Sequence, residues 1–371
     1  MTDRMLYYWL AREGHTGKEK HDLLTDIYGS LAEAYKAVKK GDFVITRGLT
    51  ENYYRRLSAA ADEKEISLEM KRMKSTGIRM TCLSDEDYPE KLLHIYSAPV
   101  ALFYKGRLPE RKKPLIAIVG ARACTERGRF LATRTGEELA EAGVGVISGL
   151  ALGTDAAAHK GALRVKDGYT CAILGCGPDI CYPLTNFELY SDMSRKGGVI
   201  SEFIPGTAPL RNNFPQRNRI ISGLSDGILV TEARVKSGSL ITADMGLDQG
   251  KNIYALPGDP DSVMNAGTNR LIQLGAKLVR KTDDILEDLH IGFVSSFQRM
   301  PLSEQVLESS EKIVYDTLCL VPRHITEIMR ESGMSQNELF PVLLSLEMKG
   351  FAERTSFEYY IAAPDTWRGP V

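Results

Sequence analysis

The sequence of 371 residues has little that would mark an exported, membrane-spanning or disulfide-stabilised protein. It contains no run of about 18 apolar residues, and the N-terminal "MTDRMLYYWLAREG" has no apolar core followed by a cleavage site. Its six cysteines include no C-x-x-C pair, and a disulfide framework is unusual in a chain of this length. We therefore expect a protein of the reducing cytoplasm that does not enter a membrane.

Common cofactor and metal motifs are also missing. The loop "GARACTERG", after the first predicted strand, does not match the G-x-G-x-x-G of dinucleotide-binding oxidoreductases, and the G-x-x-x-x-G-K-[ST] of P-loop nucleotide hydrolases is absent. Cys171, Cys176 and Cys181 are evenly spaced, yet Cys171 lies in a predicted strand and no histidine is near them. A zinc site, a bound dinucleotide and ATP hydrolysis are all disfavoured.

The chain has no excess of charge of either sign. Its 47 basic and 48 acidic side chains leave a net charge of −1, so any affinity for nucleic acid must come from a local patch. One such patch is "RNNFPQRNR", residues 211–219, which holds three arginines and a phenylalanine but no acid.

The pattern of apolar residues divides the chain into four parts. Residues 1–110 are predicted to form a small helical module with a connector, and residues 111–290 a Rossmann-like α/β domain. Residues 291–307 read as a linker. Residues 308–371 are predicted to form a winged helix, with three helices and a two-stranded wing.

The central part alternates seven short apolar runs with amphipathic segments. Runs that are apolar on both faces are typical of a mostly parallel sheet with helices on both faces. The predicted strands are "PLIAIVG", "VGVISG", "TCAILG", "GVISE", "GILVTEA", "NIYALPG" and "AKLV". The predicted helices between them include residues 126–142, 155–163 and 239–249.

Glycine and polar residues follow directly after most of these strands. In open parallel sheets, ligands bind beyond the carboxyl ends of the strands. Most of these loops also lead into a helix N-terminus, whose free N–H groups attract anions. We predict a shared anion-binding rim at this edge of the sheet.

Arginines and one aromatic ring are gathered at this rim. Arg122 follows the first predicted strand, while Arg211, Arg217 and Arg219 follow the fourth. Guanidinium groups match phosphate oxygens, and the ring of Phe214 offers a surface on which an unpaired base can stack. The combination is typical of a site for single-stranded nucleic acid, because the bases of a duplex are already stacked on one another.

Structural roles for some of these residues stay open. Phe214 could fill the core, Arg217 could pair with Glu202 or Glu232, and Asn218 could cap the helix that begins nearby. Arginine and asparagine at the start of a helix can either stabilise the fold or bind a ligand.

Asp155 and His159 stand four residues apart on one predicted helix. Such a pair could act as acid and base. More often this spacing reflects a hydrogen bond that stabilises the helix, and that is our interpretation.

Taken together, the motifs resemble one family, the DNA processing protein A group (DprA, also called Smf). The similar segments run in order from residue 116 to residue 276, and "DEDYPEKLL" with "PVALFYKG" and the winged helix extend the similarity. The N-terminal helices loosely resemble a SAM-like module. The central segments are "IAIVGAR", "ISGLALGTDAAAH", "LGCGPDICYP", "SEFIPGTAPLRNNFPQRNRIISGLSDGILVTEA", "SGSLITA", "ALPGD" and "GTNRLIQLGA".

The resemblance implies a bacterial protein that binds and protects single-stranded DNA and loads RecA recombinase onto it, notably on DNA entering by natural transformation. It also implies a homodimer built through the Rossmann-like domain, with no cofactor and no catalytic turnover. The DNA-binding site that follows from this match comprises Gly120, Arg122, Arg211, Phe214, Arg217, Asn218, Arg219, Ser237, Gly238 and Ser239.

The sequence departs from this family at two positions. Many members have serine where this chain has Ala121, and lysine where it has Leu152. One hydroxyl and one cation are thus missing from the expected path of the strand.

A second family shares the fold and gives the alternative function. The lysine-decarboxylase-like phosphoribohydrolases, which act on nucleoside monophosphates, use "PGGxGTxxE" with a catalytic glutamate. The comparable "KSGSLITAD" has Ser239 at the threonine position and Thr242 where the glutamate would fall. Without that carboxylate, no obvious group stabilises a developing oxocarbenium ion, so hydrolysis is the weaker hypothesis.

The predicted winged helix is acidic. Residues 301–371 hold 11 acids and 6 bases, a net charge of 6 − 11 = −5, and the candidate recognition helix "SQNELFPVLLSLEMKG" has Lys349 as its only base. A helix that reads DNA should present cations to phosphates. We predict that this domain contacts protein and contributes little DNA affinity.

Overall fold

A computed structural model describes residues 1–14, 16–291, 307–356 and 358–363. The chain divides into two compact units, and the first of them ends at Ile291. The predicted linker, residues 291–307, lies almost wholly outside the described residues.

The N-terminal region is helical, as predicted. Its core is rich in aromatic rings: Trp9 is fully buried, packs edge-on against Tyr35 with centroids 5.0 Å apart, and donates its indole N–H to the carbonyl of Leu57 at 2.9 Å. Burying large rings with their polar atoms bonded gives this small module a stable core. The helices are α1 (Asp3–Glu13), α2 (Lys18–Tyr28), α3 (Leu31–Lys40), α4 (Glu51–Ala59) and α5 (Glu63–Ser75).

A nine-stranded sheet forms the centre of the first unit. All seven predicted strands are present and run parallel to one another, and two earlier strands, β1 and β2, join them through the antiparallel pairing of β2 with β6. Both earlier strands lie within residues 1–110, so the sheet begins earlier in the chain than the apolar runs indicated. The strands are β1 (Arg79–Cys82), β2 (Ala101–Gly106), β3 (Leu115–Val119), β4 (Gly145–Ser148), β5 (Thr170–Ile173), β6 (Gly198–Ser201), β7 (Gly227–Val230), β8 (Asn252–Ala255) and β9 (Lys277–Leu278).

Helices cover both faces of this sheet, as predicted. Alternate residues of the strands point to opposite faces, so that Ile173 packs in one apolar cluster with Ile220 while Ala172 packs in another with Met193. The α-helices of this part are α6 (Glu126–Glu141), α7 (Thr154–Arg164), α8 (Phe187–Lys196), α9 (Asn213–Leu224), α10 (Gly238–Asp248), α11 (Ala266–Gln273) and α12 (Asp283–Asp288). The part also contains 3-10 turns at Glu90–His94 and Leu184–Asn186.

The strand order creates a topological switch point. The order is β1-β2-β6-β5-β4-β3-β7-β8-β9, so the chain proceeds outward from β3 to β6 and then returns to place β7 on the other side of β3. The loops after β3 and β7 therefore leave the sheet in opposite directions. A crevice opens between them beyond the carboxyl ends of the strands.

The second unit has the predicted winged-helix elements. A three-stranded sheet of order β10-β12-β11 packs with three helices around a core that includes Ile328, Leu343 and Tyr360. On one face of its last helix, Phe340, Leu344 and Met348 are exposed. The elements are α13 (Ser309–Thr317), β10 (Arg323–His324), α14 (Ile325–Ser332), α15 (Gln336–Met348), β11 (Ala352–Ser356) and β12 (Tyr359–Ala362).

None of the helices in the described ranges combines the length and the apolar character needed to cross a bilayer.

Candidate nucleic-acid interface

A cleft of about 800 Å³ lies at the switch point. Residues from the loops after β3, β4, β5, β6, β7 and β8 all line it, together with the first turns of α7, α9 and α10. The rim that the sequence predicted is thus brought together in one place. Of the predicted site residues, all except Arg219 line this cleft.

The cleft is lined by exposed cations. Arg122, Arg211, Arg234 and Lys236 are exposed side chains on its walls, and Asp155 is the one carboxylate among the residues that line it. Arg211 makes no hydrogen bond or ion pair with any residue that the structure describes. The electrostatic potential of the cleft therefore favours an anion.

Sequence reasoning missed Arg234 and Lys236. Both lie in "EARVKSGSL", the loop that follows β7 and leads into α10. These two cations lie within four residues of the start of α10 and follow a strand that borders the switch point, and that position could have identified them.

The ring of Phe214 contacts a cation, a second aromatic ring and a glycine. The guanidinium carbon of Arg122 lies 5.7 Å from the centroid of its ring, and the ring of Tyr182 lies 5.4 Å away at an angle of 38°. A Cβ at Gly175 would come within 2.9 Å of the Phe214 ring, so this close approach requires glycine. The ring is partly exposed and is held from three sides. Tyr182 was not among the predicted site residues.

The N-terminus of α10 opens into the cleft. The Ser237 hydroxyl caps the helix by accepting the N–H of Ser239 at 3.4 Å, and the two serine hydroxyls lie 2.8 Å apart. A Cβ at Gly238 would meet no atom within 4 Å, so open space lies in front of this residue. Free N–H groups at such a terminus can bind an anion.

Gly120 positions the loop that carries Arg122. A Cβ at this position would lie 2.5 Å from the Thr154 hydroxyl and 2.7 Å from that of Thr231. Glycine therefore allows the end of β3 to pack directly against α7 and the end of β7. Its contribution to the cleft is to hold Arg122 at the rim.

Arg217 lines the cleft but is buried and bonded within the protein, which fits the structural role that the sequence left open for it. Its side chain is 5% exposed and donates to the carbonyl of Gly149 at 2.9 Å and to that of Ile173. Burial lowers the pKa of Arg217 to about 10, although the nearby Asp155 carboxylate acts in the opposite direction. The guanidinium ties the ends of β4 and β5 to α9.

The structure also decides the structural roles of Arg219 and Asn218, the neighbours of Arg217. Glu202 pairs with Arg219 at 2.5 Å rather than with Arg217, so Arg219 is already neutralised. Asn218 lies inside α9, which begins at Asn213, and its side-chain oxygen accepts the Nε–H of Arg217 at 3.2 Å. The suggestion that Asn218 caps the helix is wrong.

Asp155 and His159 do not bond to one another, so our interpretation of this pair is wrong. The Asp155 carboxylate accepts the N–H groups of Gly149 and Ala151 at 3.0 and 3.3 Å, while His159 Nδ1 lies 2.6 Å from the Thr170 hydroxyl. Burial lowers the pKa of His159 to about 3. The imidazole is neutral near pH 7 and fixes α7 to β5.

The three evenly spaced cysteines are free thiols. Burial raises the pKa of Cys171 and of Cys176 to about 12, so neither is a thiolate near pH 7. Within the described ranges, no group of three or more His, Cys, Asp or Glu side chains is placed to hold a metal ion.

Comparison with known protein families gives matches over most of the chain. A model of the DNA recombination-mediator protein A family matches residues 79–290, and a model of the DprA winged helix domain matches residues 298–356. The DNA processing protein DprA of Streptococcus pneumoniae is 41% identical over 227 residues, which cover 61% of this chain and 78% of that protein. Protein Smf of Escherichia coli is 43% identical over 274 residues, which cover 72% of each chain.

Two solved structures are similar as well. The crystal structure of the DNA processing protein A from Streptococcus pneumoniae superposes with a TM-score of 0.65 at 34% identity, over 78% of this chain and 99% of that one. The DNA processing protein A of Helicobacter pylori, which binds single-stranded DNA, superposes with a TM-score of 0.51 at 26% identity, over 57% of this chain and 96% of that one.

Proposed function

Because the chain belongs to the DNA recombination-mediator protein A family, we propose that it binds single-stranded DNA in the cleft at its switch point. The observation that carries the proposal is the partly exposed ring of Phe214, which lies among four exposed cations. The cations would hold the phosphates and the ring would stack a base. The relative from Helicobacter pylori, which binds single-stranded DNA, supports this function.

Phosphate contacts would come from two kinds of group. Among the described residues, Arg211 has no hydrogen-bond or ion-pair partner, and Arg122, Arg234 and Lys236 have no carboxylate partner. Guanidinium forks and free helix N–H groups at Gly238 both suit phosphate oxygens. Arg217 and Arg219 would act by holding the loop, since Arg217 donates to the carbonyl of Gly149 and Arg219 pairs with Glu202.

The aromatic ring favours a single strand over a duplex. An unpaired base can reach the Phe214 ring, whereas a base in a duplex is enclosed between its neighbours. Tyr182, whose ring lies 5.4 Å from that of Phe214, would widen the apolar surface.

The residues of the cleft suit the binding of DNA better than the hydrolysis of a nucleoside monophosphate. Thr242 lines the cleft at the position where the related hydrolases carry their glutamate. Asp155, the one carboxylate among the lining residues, is buried and accepts two backbone N–H groups. Neither side chain is placed to act as a nucleophile or general base on a nucleoside monophosphate, so we propose no catalytic activity and no cofactor.

The wider role that we propose is that of a recombination mediator, as the family description states. It would protect DNA strands in the cytoplasm, including those taken up in natural transformation, and load RecA recombinase onto them. We also propose a homodimer formed through the Rossmann-like domain. The terminal strand β9 supports it, because its two residues and Leu274 are exposed and an uncovered strand edge can be extended by a second copy.

We further propose that the winged helix binds protein rather than DNA. The exposed side chains Phe340, Leu344 and Met348 recur every four residues along α15 and form an apolar stripe where a DNA-reading helix would present cations. Lys349, the only base of this segment, is held by Glu311 at 2.6 Å.

Fluorescence anisotropy with labelled oligonucleotides tests the proposal. We expect a clear preference for single-stranded over double-stranded DNA of the same sequence, and an affinity that falls as salt rises. Equal affinity for both forms would argue against the base-stacking site. Release of free base from a nucleoside monophosphate would instead support the hydrolase.

A further inference from the structure

Four large side chains with apolar surfaces are exposed on the rim beside the cleft. Leu152, Tyr182, Leu184 and Phe187 are 44%, 41%, 75% and 56% exposed, respectively. Large apolar groups gathered on one surface usually mark a contact with a ligand or a partner.

The segments that carry these side chains are fixed to one another. The amide of Asn186 is buried and donates to the carbonyls of Leu150 and Ala151 at 3.0 and 3.3 Å, so the loop after β5 is tied to the loop after β4. The ring of Phe187 stacks on that of Tyr190, with centroids 6.3 Å apart. The four side chains are therefore displayed by ordered backbone at the same edge of the sheet.

This surface is continuous with the cleft. Tyr182 lines the cleft and contacts the ring of Phe214, and it lies two residues before Leu184. From β3 at the switch point to β5 is two strand spacings, roughly 10 Å. That distance corresponds to about three nucleotides of a stacked strand.

We propose that Leu152, Tyr182, Leu184 and Phe187 form a base track, which binds the nucleobases of the strand as it leaves the cleft. The inference rests on the proposed binding of single-stranded DNA. Glu188, the exposed carboxylate beside Phe187, disfavours phosphates at this end of the surface. The contact is therefore made by the bases, while the phosphates face away from Glu188.

The length of the strand provides the test. Anisotropy competition would compare oligothymidylates of about 4 and about 16 nucleotides, together with a strand of the longer length in which the nucleotides outside the cleft are abasic. We expect Phe187→Ala and Leu184→Ala to weaken binding of the long strand by about fivefold or more, and to leave the 4-mer and the partly abasic strand unchanged. Tyr96→Ala is the matched control, because Tyr96 is exposed but lies outside both the cleft and the track.

A second test of the base track keeps an aromatic side chain at position 187. In Phe187→Trp, the indole fluorescence should be quenched by the long strand and should not change with the partly abasic one. Glu188→Gln should tighten binding of the long strand, because a repulsion is removed.

An unchanged affinity of Phe187→Ala and Leu184→Ala for the long strand, together with unquenched Phe187→Trp, would overturn the base track in favour of a protein contact on this surface. The proposed function would survive that result, provided that the 4-mer still binds the wild-type cleft. Failure of the wild-type protein to bind any single strand would instead overturn both.

Discussion

The guanidinium of Arg122 lies over the ring of Phe214, with 5.7 Å between the guanidinium carbon and the ring centroid. This cation–π contact joins the loop after β3 to the first turn of α9, the two segments that face each other across the cleft. It places a phosphate-binding group and a base-stacking surface side by side. A nucleotide bound there would meet both at once.

Replacing Phe214 should weaken DNA binding more than it weakens the fold. If a base stacks on this ring, Phe214→Ala should cost about 1–3 kcal/mol of binding free energy, and Phe214→Leu should restore packing but not affinity. Anisotropy titrations with denaturation curves of the same variants separate the two effects. A loss of stability with unchanged affinity would make Phe214 a core residue.

Arg211 should contribute one phosphate contact. Arg211→Ala should lower the affinity and reduce the slope of log affinity against log salt by about one ion. Lys71→Ala in α5 is a suitable control, because Lys71 is also an exposed cation without a partner among the described residues but lies outside the cleft. A salt slope that does not change would remove Arg211 from the interface.

Arg217 should be needed for stability. Arg217→Ala would leave the carbonyls of Gly149 and Ile173 without a donor, and we expect the free energy of unfolding to fall by roughly 3 kcal/mol. Chemical denaturation measures this loss. A variant with the wild-type denaturation midpoint and impaired DNA binding would return Arg217 to the phosphate site.

His159 should make the fold less stable in acid. The folded protein holds it neutral, with a pKa of about 3, whereas the unfolded chain takes up a proton below about pH 6.5. The stabilisation is present above pH 6.5 and is lost as the pH falls, by about 2 kcal/mol between pH 7.5 and pH 5. Denaturation at both pH values should show a smaller loss for His159→Gln, in which the other titrating groups, including Asp155, are retained. Equal losses would show that His159 does not set this pH dependence.

The sequence predicted β3 to β7 well because every residue of these strands is buried, on both faces of the sheet. Leu115–Val119 of β3 is apolar throughout. A short, continuous apolar run of this kind is typical of a strand in a parallel sheet that is covered on both faces. Strands β1 and β2 escaped prediction because β2 enters the sheet by pairing with β6, as in Phe103 with Ser201. Local periodicity can indicate a strand but does not specify which sheet that strand joins.

The cleft brings together nine of the ten predicted site residues, and within it Arg217 is buried while Arg211 is exposed. Arg217 stands three and four residues before Ile220 and Ile221, so it falls on the face of α9 that packs into the core. Arg211 precedes the helix and remains exposed. The helical phase of α9 therefore explains why the two arginines differ in burial, which composition alone does not indicate.

The most direct test of the central claim is to find where a single strand touches the protein. An oligonucleotide carrying photoactivatable 5-iodouracil would be crosslinked to the full chain, and the modified residues identified by mass spectrometry. We predict adducts at Phe214 or Tyr182, with α15 of the winged helix unmodified. Adducts confined to the winged helix, with none in the cleft, would contradict the account.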